Sequence, residues 1–169
     1  NAEFKVINFL LISIGLSFTQ IAADEIKVAV ASNFYPAMKE IVLQYESNQS
    51  QSSENHKIVL ISGSSGKHFA QIINGAPFDI FFSADKVRPT LLEKKGLSES
   101  GSRFTYALGR LVLWSSLDGF VEKDERLYNN DLRFLAIANP KIAPYGVAAR
   151  EALISINLWE EVQSKLIRG

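Results

Sequence analysis

Three short stretches place serine, asparagine or glycine where a strand or loop would end and a helix begin: Ser32-Asn33, Ser64-Ser65-Gly66 and Pro144-Tyr145-Gly146. The first turn of a helix has backbone N–H groups with no partner inside the helix, and the helix dipole adds partial positive charge, so such a turn attracts anions. Ser and Asn side chains add neutral donors, and Gly63 and Gly66 allow close backbone approach. The first and third stretches contain no Lys or Arg, while Lys67 adjoins the second. Many neutral donors suit a small dehydrated dianion, held by hydrogen bonds that the ligand's own charge strengthens.

Each stretch taken alone also has an ordinary structural account. Serine ahead of a helix is a cap, Gly-Ser-Ser-Gly is a turn, Asn33 could cap a helix and Tyr145 could be a packed surface aromatic. Other polar residues offer less. His56 and His68, the only 2 histidines, lack metal-ligand spacing and read as surface or packing residues. Asp79 and Asp85 could form an acid–base pair. A loop closure by Asp79 and a helix cap by Asp85 fit better, because a carboxylate facing an anion repels it. Gly66-Lys67 lacks the spacing and the following Ser or Thr of a phosphate-binding P-loop, and no G-x-S-x-G elbow is present. With no cysteine, the chain can have no disulfide, thiolate metal site or cysteine nucleophile.

The elements that would position these residues alternate. Ile26, Val28 and Val30 mark a strand; Ala37, Met38, Ile41, Val42 and Tyr45 recur at helical spacing behind Pro36; Ser47–Lys57 is polar and reads as a loop. Ile58–Ile61 reads as a strand buried on both faces, Ser62–Gly66 as a tight turn, and Phe69, Ile72, Ile73 and Ala76 as a helix ended by Gly75 and Pro77. Ile80–Phe82 is a third strand, followed by a helix with Val87, Leu91 and Leu92 that Gly96 closes. Beyond Ser98–Arg103 the pattern restarts. Strands are expected at Leu111–Trp114 and Leu135–Ala138, a helix from Pro144 with Val147, Ala148, Ala152 and Leu153 on its apolar side, and a last helix from Trp159 to Gly169. Trp114 and Trp159 are expected in the core. This order is that of an α/β protein with parallel sheets flanked by helices.

The 169 residues, 47% hydrophobic, suffice for one domain and part of a second. With 18 basic and 18 acidic residues there is no cationic excess to suggest nucleic acid or an acidic membrane as partner. Lys5, the apolar run Val6–Phe18 and the small residues before Asp24 form the pattern of a secretory signal peptide over 1–23.

Four segments then resemble one family: VAVASNFYPAM (Val28–Met38), SGSSGKHFAQIINGAPFDIFFSAD (Ser62–Asp85), GSRFTYALGRLVLWS (Gly101–Ser115) and IANPKIAPYGVAAREAL (Ile137–Leu153). Together they resemble the periplasmic molybdate-binding proteins that feed ABC transporters. The resemblance implies a two-lobed type II periplasmic binding fold, with lobe 1 over 24–105 and lobe 2 over 106–169, the second lobe truncated. It implies molybdate or tungstate, that is, molybdenum as molybdate, held at Ser32, Asn33, Ser65 and Tyr145 with Ser64 and Gly66 beside them. It further implies a membrane ABC permease as partner, periplasmic localisation, no cofactor, no catalysis and a monomer. The alternatives are a binder of sulfate, phosphate or a small organic anion, a sensor lobe, or a hydrolase in which Ser64 or Ser65 is the nucleophile and His56 or His68 the base.

Overall fold

The computed structural model describes residues 25–49, 56–120 and 132–169. The signal-peptide reading over 1–23 lies outside the described residues. The first strand, β1 (Glu25–Ala31), ends in four consecutive buried residues, Val28–Ala31. A run with no polar alternation needs cover on both faces. Accordingly β1 is the centre of a three-stranded sheet of order β2-β1-β3, with β2 (Lys57–Gly63) and β3 (Ile80–Phe82) both parallel to it. At the sheet's N-terminal edge Lys57 Nζ donates to Glu25 Oε1 at 2.8 Å. Asp79 closes the loop ahead of β3: its Oδ2 accepts the Lys27 N–H at 2.7 Å and its own N–H donates to the Lys27 carbonyl at 2.9 Å.

Three helices follow these strands: α1 (Tyr35–Gln49), α2 (Ser65–Ile73) and α3 (Val87–Lys94). Val30, Met38 and Val42 form the first core, with Phe34, Tyr35, Ile58, Leu60 and Phe82 packed around them. A second parallel pair, β4 (Leu135–Ile137) and β5 (Leu166–Arg168), lies with α4 (Pro144–Ser155) and the short α5 (Trp159–Val162). Its core is Leu132, Leu153, Leu158 and Val162, flanked by Leu135, Trp159 and Leu166.

Helices α2, α3 and α4 end alike. Gly75, Gly96 and Asn157 take positive φ, at 84°, 67° and 57°. The N–H of the next residue reaches back to the carbonyl of Gln71, Leu92 or Leu153 respectively, at 2.9, 3.0 and 2.9 Å. This is the Schellman closure, which satisfies carbonyls that the last turn leaves bare.

Several expectations are corrected. The polar stretch Ser47–Lys57 is not all loop: α1 runs to Gln49, and Lys57 opens β2. Ile58–Ile61 is half-buried, because β2 is an edge strand. Ser62–Gly66 is not a tight turn. Ser62 and Gly63 complete β2, Ser64 alone makes the connection, and Ser65 and Gly66 begin α2. Ala76 lies past the end of α2, in its closure. Ile41 and Tyr45, at helical spacing on α1, are exposed, since only the Met38–Val42 stripe meets the sheet.

Leu111–Trp114 forms no strand among the described residues, and Trp114 is 79% exposed rather than in the core. A strand exists through its partner, and no described segment pairs with this one. The buried face of α4 is Gly146, Ala149 and Leu153, while Val147 and Ala152 are exposed. The expected helix Trp159–Gly169 stops at Val162, passes through a 3-10 turn (Gln163–Lys165) and becomes β5, where the edge of β4 supplies a ladder that helix propensity cannot outweigh.

Candidate functional site

In an open parallel sheet, ligands bind beyond the carboxyl ends of strands where the strand order reverses. Here the chain runs from the central β1 out to β2 and back across to β3, so that point lies between the ends of β1 and β3. A cavity of about 760 Å³ includes that point and runs along residues 78–82, through β3; at the strand ends it is lined by Asn33 and Phe34 after β1, by Ser83, Ala84 and Asp85 after β3, and by Tyr106, Gly109 and Tyr145 from later in the chain.

Asn33 and Tyr145, far apart in sequence, thus share one cavity. Ser32 is exposed beside Asn33, with its Oγ 3.5 Å from Ser62 Oγ, beyond a good hydrogen bond. The Ser32 N–H is committed to the Gly63 carbonyl at 2.9 Å, which leaves its hydroxyl as the available donor. Ser64 caps α2, its Oγ accepting the Lys67 N–H at 3.2 Å. Ser65 is fully buried and does not line the cavity. Its Oγ accepts the Ala84 N–H at 2.9 Å, so its hydroxyl hydrogen stays free to donate. Gly66 spends its N–H on the Ile142 carbonyl at 3.0 Å, and a Cβ there would collide with the Ile142 backbone. That bond ties the start of α2 to the segment leading into α4. Among the described residues, the N–H groups of Asn33, Ser65 and Tyr145 have no internal acceptor.

Of the charged groups lining the cavity, Asp85 and Arg103 are in ion pairs, whereas Lys86 and Glu99 are in none among the described residues. Asp85 Oδ1 caps α3 by accepting the Arg88 N–H at 2.8 Å, and Oδ2 pairs with the Arg88 guanidinium. Arg103 Nε meets Glu93 Oε2 at 2.9 Å, and this hydrogen bond, with one from the Gly101 backbone, holds the Glu93 carboxyl below its ordinary range.

Sequence reasoning missed two contributors. One is Ser83-Ala84, which repeats the strand–small residue–helix design at the end of β3; the rule that picked out the other stretches would have found it. The other is Tyr106. Its hydroxyl donates to the Ser83 carbonyl at 3.1 Å and its ring packs on Phe34 and Phe82, with centroids 4.7 and 5.2 Å away. Burial, then the neighbouring Tyr145, raises its phenol pKa. Nothing in the local sequence marks Tyr106, because its partners are distant along the chain.

A parallel sheet with uncommitted helix-start donors at its strand ends defines an α/β ligand-binding scaffold. The family model of bacterial extracellular solute-binding proteins matches residues 26–169, and the chain belongs to that family. The molybdate-binding protein ModA of Azotobacter vinelandii is 44% identical over 95% of this chain and 63% of its own length. That of Rhodobacter capsulatus is 40% identical over 88% of this chain and 57% of its own. The solved periplasmic molybdate-binding protein of Azotobacter vinelandii superposes with a TM-score of 0.78 at 41% identity, covering 85% of this chain and 62% of that one. The chain therefore spans about three fifths of the length of these relatives.

Proposed function

We propose that this chain belongs to a periplasmic solute-binding protein that captures molybdate or tungstate and delivers it to a membrane ABC permease. In this reading residues 1–23 are the export signal, and 24–105 and 106–169 contribute to two lobes that close on the anion. The protein acts as a monomer and catalyses nothing. The observation that carries the reading is the set of uncommitted N–H groups at the starts of helices α2 and α4 and at Asn33 ahead of α1, joined by the hydroxyls of Ser32 and Ser65. The names of the similar proteins agree with it. Neutral donors hold a dianion without a fixed countercharge, and discrimination rests on donor spacing, which a larger tetrahedron fits and sulfate does not.

The hydrolase alternative has little support. The His68 ring nitrogens face Gln71 and Val30, and Ser64 and Ser65 have structural partners. A small organic anion is the second reading, favoured by the cavity's size and by Phe34, Phe82 and Tyr106 on its wall. Calorimetric titration of the full-length protein with molybdate, tungstate, sulfate and phosphate tests both. Heat from the first two alone supports the proposal, heat from the last two overturns its specificity, and silence from all four on a folded protein leaves the organic anion.

A further inference from the structure

His68 is the one fully buried titratable side chain among the described residues, and the site as described above does not use it. It lies on α2, three residues after Ser65, and its N–H donates to the Ser64 carbonyl at 3.1 Å. Its ring is wedged under the ends of all three strands of the first sheet. Nε2 stands 3.3 Å from the Val30 carbonyl of β1. Phe81 of β3 and Phe78 meet the ring edge-on, with centroids 6.2 and 5.7 Å away. At Gly63, the end of β2, a Cβ would fall 2.8 Å from Nε2 and 2.9 Å from Cε1, so only glycine leaves room for the ring.

The hydrogen-bond chemistry fixes one proton. A carbonyl only accepts, so the bond to Val30 requires hydrogen on Nε2. Nδ1 lies 3.1 Å from the Gln71 amide, which can present either its oxygen or its nitrogen. The ring is therefore a spacer of defined direction, with a donor at one end and an adaptable partner at the other. Its contacts are also the supports of the anion donors. Gly63, against the ring, holds the Ser32 N–H through its carbonyl, and Ser64, bonded to the His68 N–H, precedes Ser65.

We infer that His68 is a positioning residue for anion binding. By bonding to Val30 and wedging against Gly63, it sets the first turn of α2 at the height where Ser65 and the Ser32-Asn33 turn address the same ligand. The inference rests on the oxyanion reading for the ligand, while the positioning itself is measurable without one.

The test uses the full-length protein with three variants. His68→Phe keeps the ring and loses the donor, His68→Gln keeps a donor of similar reach, and Gly63→Ala leaves His68 in place but displaces its ring. First, in the ligand-free wild type, nitrogen NMR of the imidazole should show Nε2 carrying hydrogen; a ring protonated on Nδ1 alone overturns the inference. Second, amide exchange at Ser32, held by Gly63, and at Ala84, held by the Ser65 hydroxyl, should quicken about tenfold or more in His68→Phe and Gly63→Ala, with the β4–β5 amides unchanged, and His68→Gln should restore it. Uniform quickening, or none, reduces His68 to a packing residue. Third, molybdate affinity should fall about tenfold or more in His68→Phe at a retained melting temperature and recover in His68→Gln; unchanged affinity overturns the inference. If the wild type binds no molybdate, the oxyanion reading fails, and the NMR and exchange results still decide for or against positioning. Should His68→Phe not fold, Gly63→Ala and the wild-type NMR carry the decision.

Discussion

Ser65 has two duties on one oxygen. It accepts the Ala84 N–H, which anchors the segment after β3, and under the proposed function its hydroxyl hydrogen donates to the anion. A hydrogen bond to a charged partner contributes about 1.5–3 kcal/mol. Ser65→Ala should therefore weaken molybdate binding by roughly ten- to a hundredfold in calorimetric titration, with a smaller loss of stability from the unpaired Ala84 N–H. Tyr106 gives a pH signature. Its phenol pKa is raised above the ordinary 10.0, first by burial and then by Tyr145. A raised pKa means that the folded state holds the proton more tightly. Its contribution to stability is thus complete below the unfolded value and declines as pH rises through the folded one. Ultraviolet titration should show one tyrosine ionising after the exposed ones, and Tyr106→Phe should abolish that late step. The residues legible in sequence were those whose role is local: Asp85 as a cap, Gly96 as a closure, Ser64-Ser65 at a helix start. Tyr106 and the His68 ring were not, since their meaning comes from Ser83 and Val30, which only the fold brings near.

At the element scale, the order of strands and helices in the first half of the described chain is legible in the sequence, although the ends of α1, β2 and α2 fall a few residues from where the sequence pattern places them. The parallel order of β1, β2 and β3 followed from apolar runs separated by helical spacing, and the matching relatives have the same architecture. Gly96 illustrates the physical content of one legible boundary. At φ 67° a Cβ crowds the following carbonyl, although open space surrounds the position. Gly96→Ala should destabilise by about 1–2 kcal/mol, measurable as a lowered urea midpoint with unchanged slope. Two of the errors share one origin. Leu111–Trp114 and Trp159–Gly169 were assigned from local apolar pattern, but strand or helix there depends on a neighbour: β5 exists because β4 lies beside it, and Leu111–Trp114 has no such partner among the described residues. Likewise the apolar residues Ile41 and Tyr45 kept their helical spacing without being buried.

At the scale of the whole molecule, two separate cores are joined by little backbone bonding. Leu158, 1% exposed at the centre of the second core, follows the positive-φ Asn157 that turns the chain out of α4. Leu158→Ala should cost about 2–5 kcal/mol. Because the first core shares no side chain with it, β4 and β5 signals should melt earlier while β1–β3 signals hold. Among the described residues, the Gly66 N–H to the Ile142 carbonyl is the only backbone hydrogen bond between 25–105 and 132–169. A bond so placed acts as a gauge. Its amide hydrogen exchanges with solvent when the two parts separate, or when the start of α2 or the Ile142 segment opens locally. The protection factor of one glycine thus sets a floor under the free energy that holds the halves together, and a rise in that floor on adding an anion would show the ligand's binding energy going into keeping them joined.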